Sequence, residues 1–206
     1  SGDLAYLSKR ARELLDAAGY TDAVICASGD LDEWLILALK MQDARIDSWG
    51  IGTKLITSED HPALGGVYKL SAMEDDEGNI VPKIKVSENI WKITNPGYKK
   101  IVRLYSRYEG KALADLIMLD DETVDDSGEL EIFSPTETWK RMTLKNFYAK
   151  ELLVPVFIDG KQVYDSPSLE DIKAYAKEQL ETLWDEYRRF TNPHIYKVDL
   201  SEKLFE

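Results

Sequence analysis

The sequence lacks any surplus of positive charge. Lysine and arginine together number 26, against 38 aspartate and glutamate residues, so the formal net charge is −12 and the pI is near 4.7. Nucleic acids and anionic membrane surfaces are bound through clustered cations, so we expect neither as a partner. Phosphate groups remain compatible with this charge, because backbone N–H groups at a helix start can hold an anion locally.

Cysteine is nearly absent as well. The single cysteine, Cys26, excludes a disulfide within the chain, and its place in the apolar run from Ala23 to Ala27 predicts that it is buried. No apolar run approaches the roughly 18 residues of a membrane helix, and Ser1 opens a polar stretch rather than a secretory leader. We therefore expect a cytoplasmic protein without a membrane partner. The chain also lacks an initiating Met, which is typical of a piece of something larger.

With 44% hydrophobic and 31% charged residues, the sequence has enough apolar content for a folded core. Its first part has the periodicity of alternating helices and strands. The predicted elements are a helix over Leu4 to Ala18 stopped by Gly19, a strand over Ala23 to Ala27, a helix from Leu31 to Met41 with Asp30 as N-cap, and a strand over Ile46 to Trp49. Parallel strands need a crossover helix, so this order predicts a parallel α/β barrel or an open α/β sheet.

The pattern of apolar and polar residues changes from Gly66 onward, where apolar or alternating segments are separated by acidic and Pro/Gly turns. Antiparallel strands are predicted at Val67 to Met73, Pro82 to Val86, Lys100 to Tyr105, Ala112 to Leu119 and Leu130 to Phe133, and a long amphipathic helix at Ser168 to Phe190. We expect three regions: 1–64 as the C-terminal part of an α/β barrel, 65–135 as a β-rich unit, and 136–206 as a helical region that packs on the body.

Two glycine-bearing turns follow the two predicted parallel strands. They are Ser28-Gly29-Asp30 and Gly50-Ile51-Gly52-Thr53. Neighbouring parallel strands would bring both turns to one face, where α/β barrels hold phosphate groups. Glycine lets the backbone approach an anion, Thr53 adds a hydroxyl donor and Lys54 could add charge. The alternative is that these glycines only make tight turns.

Three acidic residues lie in or near the first glycine turn or at the start of the first predicted helix. Asp3, Asp30 and Asp32 could accept hydrogen bonds from a ribose diol or hold Mg²⁺ through water, or they could simply cap helices. The two histidines, His61 and His194, are far apart and form no zinc-site spacing.

Several segments, which follow one another in the family's order, resemble the C-terminal portion of nicotinate phosphoribosyltransferases. They are SGDLAYLSKRAR (1–12), ASGDLDEW (27–34), DSWGIGTKLITS (47–58), PALGGVYKL (62–70), PKIKVSEN (82–89), KITNPGYKKIVRLY (92–105) and NPHIYKVDLS (192–201). The resemblance implies a reaction of nicotinate with phosphoribosyl pyrophosphate that yields nicotinate mononucleotide and pyrophosphate in NAD biosynthesis. It also implies ATP hydrolysis through a phosphohistidine, assistance by Mg²⁺, and a homodimer.

The fold implied by the resemblance is an irregular α/β barrel of the type II phosphoribosyltransferase kind, with an adjoining antiparallel β-rich unit and C-terminal helices. The implied substrate-binding residues are Ser1, Gly2, Asp3, Ser28, Gly29, Asp30, Gly50, Gly52 and Thr53. Neither His61 nor His194 lies in the phosphohistidine motif, so that residue is expected upstream and the 206 residues alone are expected to be inactive. The alternatives are a nicotinamide or quinolinate phosphoribosyltransferase and a non-catalytic interaction module.

Overall fold

The computed structural model describes residues 2–88 and 93–206 and divides the chain into two units, Ser1–Val67 and Tyr68–Glu206. The first unit contains α1 (Leu4–Ala17), β1 (Cys26–Ser28), α2 (Glu33–Met41), β2 (Ser48–Gly50) and α3 (Thr53–Ile56). The two strands pair in parallel. The alternation of helix and parallel strand predicted from periodicity is therefore confirmed.

Local signals explain where the first helix begins and ends. Asp3 Oδ1 accepts the N–H of Tyr6 at 3.0 Å and so caps α1. The alternative that Asp3 caps a helix is therefore confirmed. The helix α1 ends before Gly19, whose φ of 86° suits a residue without a side chain. Further along, Ser8 Oγ accepts the N–H of Arg45 at 3.0 Å, which ties α1 to the segment before β2.

The predicted burial of Cys26 is wrong. Cys26 is exposed, whereas its neighbour Ala27 is buried. The reason is the alternation of side chains along a strand: β1 pairs only with β2 among the described strands, and one face of this two-stranded sheet is open. A strand with a short apolar run is buried on both sides only where other elements cover both faces of its sheet.

The second unit is built on a six-stranded sheet in the order β8-β7-β12-β6-β5-β9. Its strands are β5 (Lys99–Ser106), β6 (Ala112–Leu119), β7 (Leu130–Phe133), β8 (Arg141–Leu144), β9 (Phe147–Glu151) and β12 (Val198–Leu200). Neighbours pair antiparallel except β12 and β6, which are parallel. Two small antiparallel pairs accompany the sheet, β3 (Ala72–Glu74) with β4 (Ile80–Pro82) and β10 (Phe157–Ile158) with β11 (Lys161–Gln162).

The core of the second unit lies on one face of this sheet. Alternate residues of the two central strands form cross-strand apolar pairs, such as Val102 with Leu116 and Leu104 with Ala114. Ile132, Leu144 and Phe147 from the outer strands complete the cluster. The period of two along β5 and β6 is what the sequence showed, and these two strands lie within one residue of their predicted bounds.

The expectation of a helical region at 136–206 needs correction. That region does contain α4 (Leu169–Glu181), α5 (Asp185–Arg188) and α6 (Glu202–Phe205), but it also supplies β8, β9 and β12 to the main sheet. Strands of three to five residues are too short to show a clear period in the sequence, and their places in the sheet depend on partners distant along the chain.

The single long helix predicted over Ser168 to Phe190 is two helices. Ser168 caps α4 through a capping box with Asp171, as its sequence position allows. At the other end, Lys111 Nζ contacts the carbonyls of Glu181 and Leu183, and Ala112 N–H donates to Thr182 O. These tertiary hydrogen bonds occupy the carbonyls of the last residue of α4 and of the two residues after it, where α4 and α5 separate.

Within the described residues, no helix combines the length and the apolar composition that a bilayer-spanning segment needs.

Candidate functional site

The two glycine-bearing turns lie side by side in the first unit. In the parallel pairing of β1 with β2, Cys26 is opposite Ser48, Ala27 is opposite Trp49 and Ser28 is opposite Gly50. The first turn, Ser28 to Asp30, therefore leaves the same end of the sheet as the second turn, Gly50 to Thr53. We call them the first loop and the second loop. Their adjacency, which the sequence analysis expected, is confirmed.

The loops touch where Gly50 faces Ser28. A Cβ atom added to Gly50 would lie 2.9 Å from the Cβ of Ser28, closer than side-chain carbons approach one another. The φ of Gly50 is not in the left-handed region, so the need for glycine here is one of space. The close approach keeps the two loop backbones next to each other.

The first loop has an unusual backbone. Gly29 has a φ of 111° and Asp30 a φ of 43°, so two consecutive residues are left-handed. A non-glycine residue in this conformation carries strain, which is typical of functional loops. Ser28, Gly29 and Asp30 are all exposed. Their backbone and side-chain polar groups are thus open to a ligand.

The prediction that Asp30 caps the second helix is wrong. The N-cap of α2 is Asp32, whose Oδ1 accepts the N–H of Leu35 at 2.7 Å, and the helix starts at Glu33 rather than at Leu31. Asp32 has the extended conformation that an N-cap needs, whereas the left-handed Asp30 does not. The Asp30 carboxylate is therefore left available for another partner.

The second loop presents Gly52 and Thr53 to solvent. Gly52 precedes α3 with a φ of −127°, and nothing lies within 4 Å of the position that a Cβ atom would take. Neither strain nor crowding within the chain calls for glycine at this position. Thr53 is exposed, and its carbonyl accepts the N–H and the hydroxyl of Thr57. An open backbone at Gly52 is what close approach of an anion would use.

The remaining predicted site residues lie at the chain start. Gly2 has a φ of 110°, and the Asp3 carboxylate is committed to capping α1. Ser1 lies outside the described residues. The placement of Gly2 and Asp3 beside the two loops stays a prediction.

An ion pair that was not predicted from the sequence connects the segments that follow the two loops. Lys54 Nζ lies 2.6 Å from Asp32 Oδ2. The hydrogen bond from Lys54 holds the pKa of the Asp32 carboxyl below its ordinary value, and the same bond raises the pKa of the Lys54 ammonium. Both groups are therefore charged at neutral pH. Opposite charges a few residues after each glycine turn were the signal that could have revealed the pair.

The family of the chain follows from comparison with known proteins. A family model described as the nicotinate phosphoribosyltransferase C-terminal domain matches residues 98–206, more than half of the chain. The chain belongs to the nicotinate phosphoribosyltransferase family.

Relatives extend this similarity over both units. Nicotinate phosphoribosyltransferase of Bacillus subtilis is 50% identical over 202 residues, covering 98% of this chain and 41% of the relative. The enzyme of that name from Caenorhabditis elegans is 36% identical over 216 residues, covering 100% of this chain and 37% of the relative. The chain thus spans about two fifths of the length of these relatives.

A solved structure agrees with the sequence comparisons. The crystal structure of human nicotinic acid phosphoribosyltransferase matches with a TM-score of 0.70 at 27% identity, covering 99% of this chain and 37% of that chain. The mixed α/β architecture is therefore the family's own.

Among residues 2–88 and 93–206, no group of three or more His, Cys, Asp or Glu side chains is arranged to hold a metal ion. In the first loop, Asp30 remains a single exposed carboxylate that could contact a hydrated cation.

Proposed function

We propose that this chain forms the phosphoribosyl-binding part of a nicotinate phosphoribosyltransferase. The complete enzyme would join nicotinate to phosphoribosyl pyrophosphate, releasing pyrophosphate and making nicotinate mononucleotide for NAD biosynthesis. The observation that carries the proposal is the parallel pairing that sets Ser28 opposite Gly50 and so brings both loops to one end of the sheet. Relatives of the same name support the choice of substrate.

The second loop suits the 5′-phosphate. The open backbone at Gly52 and the hydroxyl of Thr53 can donate hydrogen bonds to phosphate oxygens without a side chain in the way. The first loop then suits the ribose, since Ser28 supplies a hydroxyl and Asp30 a carboxylate for the sugar diol. We place Gly29 in the same role through its backbone, and Gly2, Asp3 and Ser1 near the ligand by family resemblance.

The chemistry proposed is electrostatic. Departure of pyrophosphate leaves positive charge on the ribose ring, so rate enhancement depends on fixing the sugar phosphate and on neutralising the leaving group. None of these steps requires a nucleophile from this chain. Holding the phosphate and the ribose at two adjacent loops restricts the sugar to one orientation for attack by nicotinate.

Mg²⁺ fits this site only as a partly hydrated ion. Magnesium is commonly held by one or two carboxylates together with water and substrate phosphates. Asp30 can supply one carboxylate, and the pyrophosphate of the substrate can supply further oxygens. When bound, the ion would neutralise the leaving group.

ATP coupling, a homodimeric assembly and a cytoplasmic location complete the proposal. We assign the phosphohistidine to the part of the family protein that lies outside these 206 residues, because His61 and His194 do not lie in its motif. The 206 residues alone would therefore not turn nicotinate over.

Substitution of Gly52 tests the proposed phosphate loop. In a complete enzyme that carries this chain, Gly52→Leu should abolish the heat of binding of nicotinate mononucleotide in titration calorimetry, because the leucine would occupy the phosphate position. The fold should tolerate the change, since Gly52 has an ordinary φ and open space around it.

Gly128→Leu is the matched control. Gly128 lies in the second unit, where an added Cβ atom would meet only the end of the flexible Asp125 side chain at 3.6 Å. This variant should bind the mononucleotide like the unmodified enzyme. Retained binding in Gly52→Leu would contradict the phosphate assignment.

A further inference from the structure

The two loops are connected by charge as well as by their backbones. Asp32 follows the first loop by two residues, Lys54 follows the second loop directly, and their side chains form the 2.6 Å ion pair. The Asp32 side chain is only 17% exposed and that of Lys54 is 41% exposed. The pair thus spans the gap between the loops and is partly shielded from solvent, which limits screening by water and salt.

Asp32 is a fixed anchor for this contact. Its Oδ1 accepts the N–H of Leu35 at 2.7 Å while its Oδ2 contacts Lys54, so the carboxylate uses both oxygens. Because Asp32 is immobilised at the start of α2, the ammonium of Lys54 is drawn to a defined position. The backbone of Lys54 belongs to α3, whose first residue is Thr53 of the second loop. The position of the Lys54 side chain therefore constrains the backbone of the second loop directly.

We propose that Asp32 and Lys54 are positioning residues that fix the separation of the two loops around the phosphoribosyl group, and that Lys54 is not itself a phosphate ligand. This inference rests on the proposed function. A lysine beside a phosphate loop is ordinarily expected to bind the anion. Here the ammonium is already paired, and moving it to a phosphate would leave the Asp32 carboxylate uncompensated near a second negative group.

The test compares Asp32→Asn with Lys54→Met in a complete enzyme that carries this chain. Asparagine is a good N-cap, so Asp32→Asn keeps the bond to Leu35, while its amide NH2 group replaces the oxygen that contacts Lys54 and removes both the charge and the acceptor. We expect each variant to raise the KM for phosphoribosyl pyrophosphate about fivefold, the size of a typical coupling between contacting residues. The KM for nicotinate should not change. The double variant should be no worse than either single variant, because both remove the same contact.

A direct phosphate ligand would give a different pattern. Lys54→Met would then weaken phosphoribosyl pyrophosphate binding far more than Asp32→Asn does, and Asp32→Asn would leave the KM unchanged or lower it. Either result would overturn the proposal. Lys54→Arg should keep the KM within about twofold of the unmodified enzyme, since its guanidinium can also donate to the Asp32 carboxylate.

Controls separate this inference from the proposed function and from loss of fold. Arg10→Met breaks an exposed ion pair with Glu13 on α1 and should leave both KM values unchanged. If the unmodified complete enzyme makes no nicotinate mononucleotide, the proposed function fails. If it is active but Asp32→Asn and Lys54→Met keep its KM values, only the positioning role fails. Should Lys54→Met melt early, Asp32→Asn decides the question, because an unaltered KM in that variant already contradicts the positioning role.

Discussion

Three glycines at the candidate site lack a side chain for three different reasons. Gly29 has a left-handed φ, which favours glycine whatever surrounds it. Gly50 has an ordinary φ but no room for a Cβ atom beside Ser28. Gly52 has both an ordinary φ and open space. The chain's own structure therefore explains the first two glycines, and a ligand is the explanation we propose for the third.

Substitution of Gly50 tests the contact between the loops. Gly50→Ala should lower the free energy of unfolding by about 1 to 3 kcal/mol, the usual range for forcing an extra carbon into a packed site. Urea denaturation followed by circular dichroism would measure it. The double variant Ser28→Gly/Gly50→Ala should recover part of the loss, because it removes the Cβ atom that the added methyl group would meet. A Gly50→Ala variant as stable as the unmodified chain would show that the loops are not in contact.

At the scale of elements, a group of three polar side chains connects strands of the main sheet on the face opposite its core. Arg103 on β5 makes two hydrogen bonds to Asp115 on β6, at 2.7 and 2.9 Å. Tyr196, just before β12, donates its hydroxyl to the same carboxylate at 3.0 Å. Burial raises the pKa of the Tyr196 hydroxyl, so it stays protonated as a donor. The group links β6 to its antiparallel and its parallel neighbour.

Loss of Arg103 should destabilise this sheet strongly. The Asp115 side chain is only 8% exposed, so Arg103→Met would leave a buried carboxylate with Tyr196 as its remaining partner. Removing one member of such a pair typically costs about 3 to 5 kcal/mol. Chemical denaturation of Arg103→Met measures the loss, with Lys177→Met, which breaks a largely exposed ion pair with Glu181 on α4, as the control.

The double variant Arg103→Met/Asp115→Leu sharpens that test. Replacing both charges by apolar side chains removes the unpaired carboxylate, so much of the lost stability should return. A single variant Arg103→Met with nearly unchanged stability would mean that the pair contributes little to the sheet.

Elements that depend on local signals could be predicted from the sequence, and those that depend on distant partners could not. The helix α1, its cap at Asp3 and the long strands β5 and β6 follow from periods and capping residues within a few positions. The position of β12 between β6 and β7 depends on pairing with strands far away along the chain, which no local pattern contains. The break after α4 likewise results from hydrogen bonds with the hairpin of β5 and β6.

The same contrast between local signals and distant partners applies to the candidate site. Glycine turns after two consecutive strands predicted that the loops would be neighbours, because consecutive parallel strands share an end. The choice of Asp32 rather than Asp30 as N-cap could not be predicted, since both residues precede the helix and only the left-handed φ of Asp30 excludes it. The contact between Asp32 and Lys54 required the two loops to be placed first.

At the scale of the whole molecule, a chain of net charge −12 is proposed to bind an anionic substrate. Its overall field repels phosphate, so attraction has to come from groups within a few ångströms of the ligand, such as the backbone N–H groups of the second loop. One face of the β1–β2 sheet exposes Cys26 and Ser28, so this end of the chain is open to a ligand.

A crystal structure of a complete enzyme carrying this chain, with nicotinate mononucleotide bound, tests the central claim most directly. We expect the phosphate within hydrogen-bonding distance of the backbone at Gly52 and Thr53, the ribose hydroxyls against Ser28 and Asp30, and the ion pair of Asp32 with Lys54 unbroken. A nucleotide bound away from both loops would contradict the assignment of this sheet end as the phosphoribosyl site.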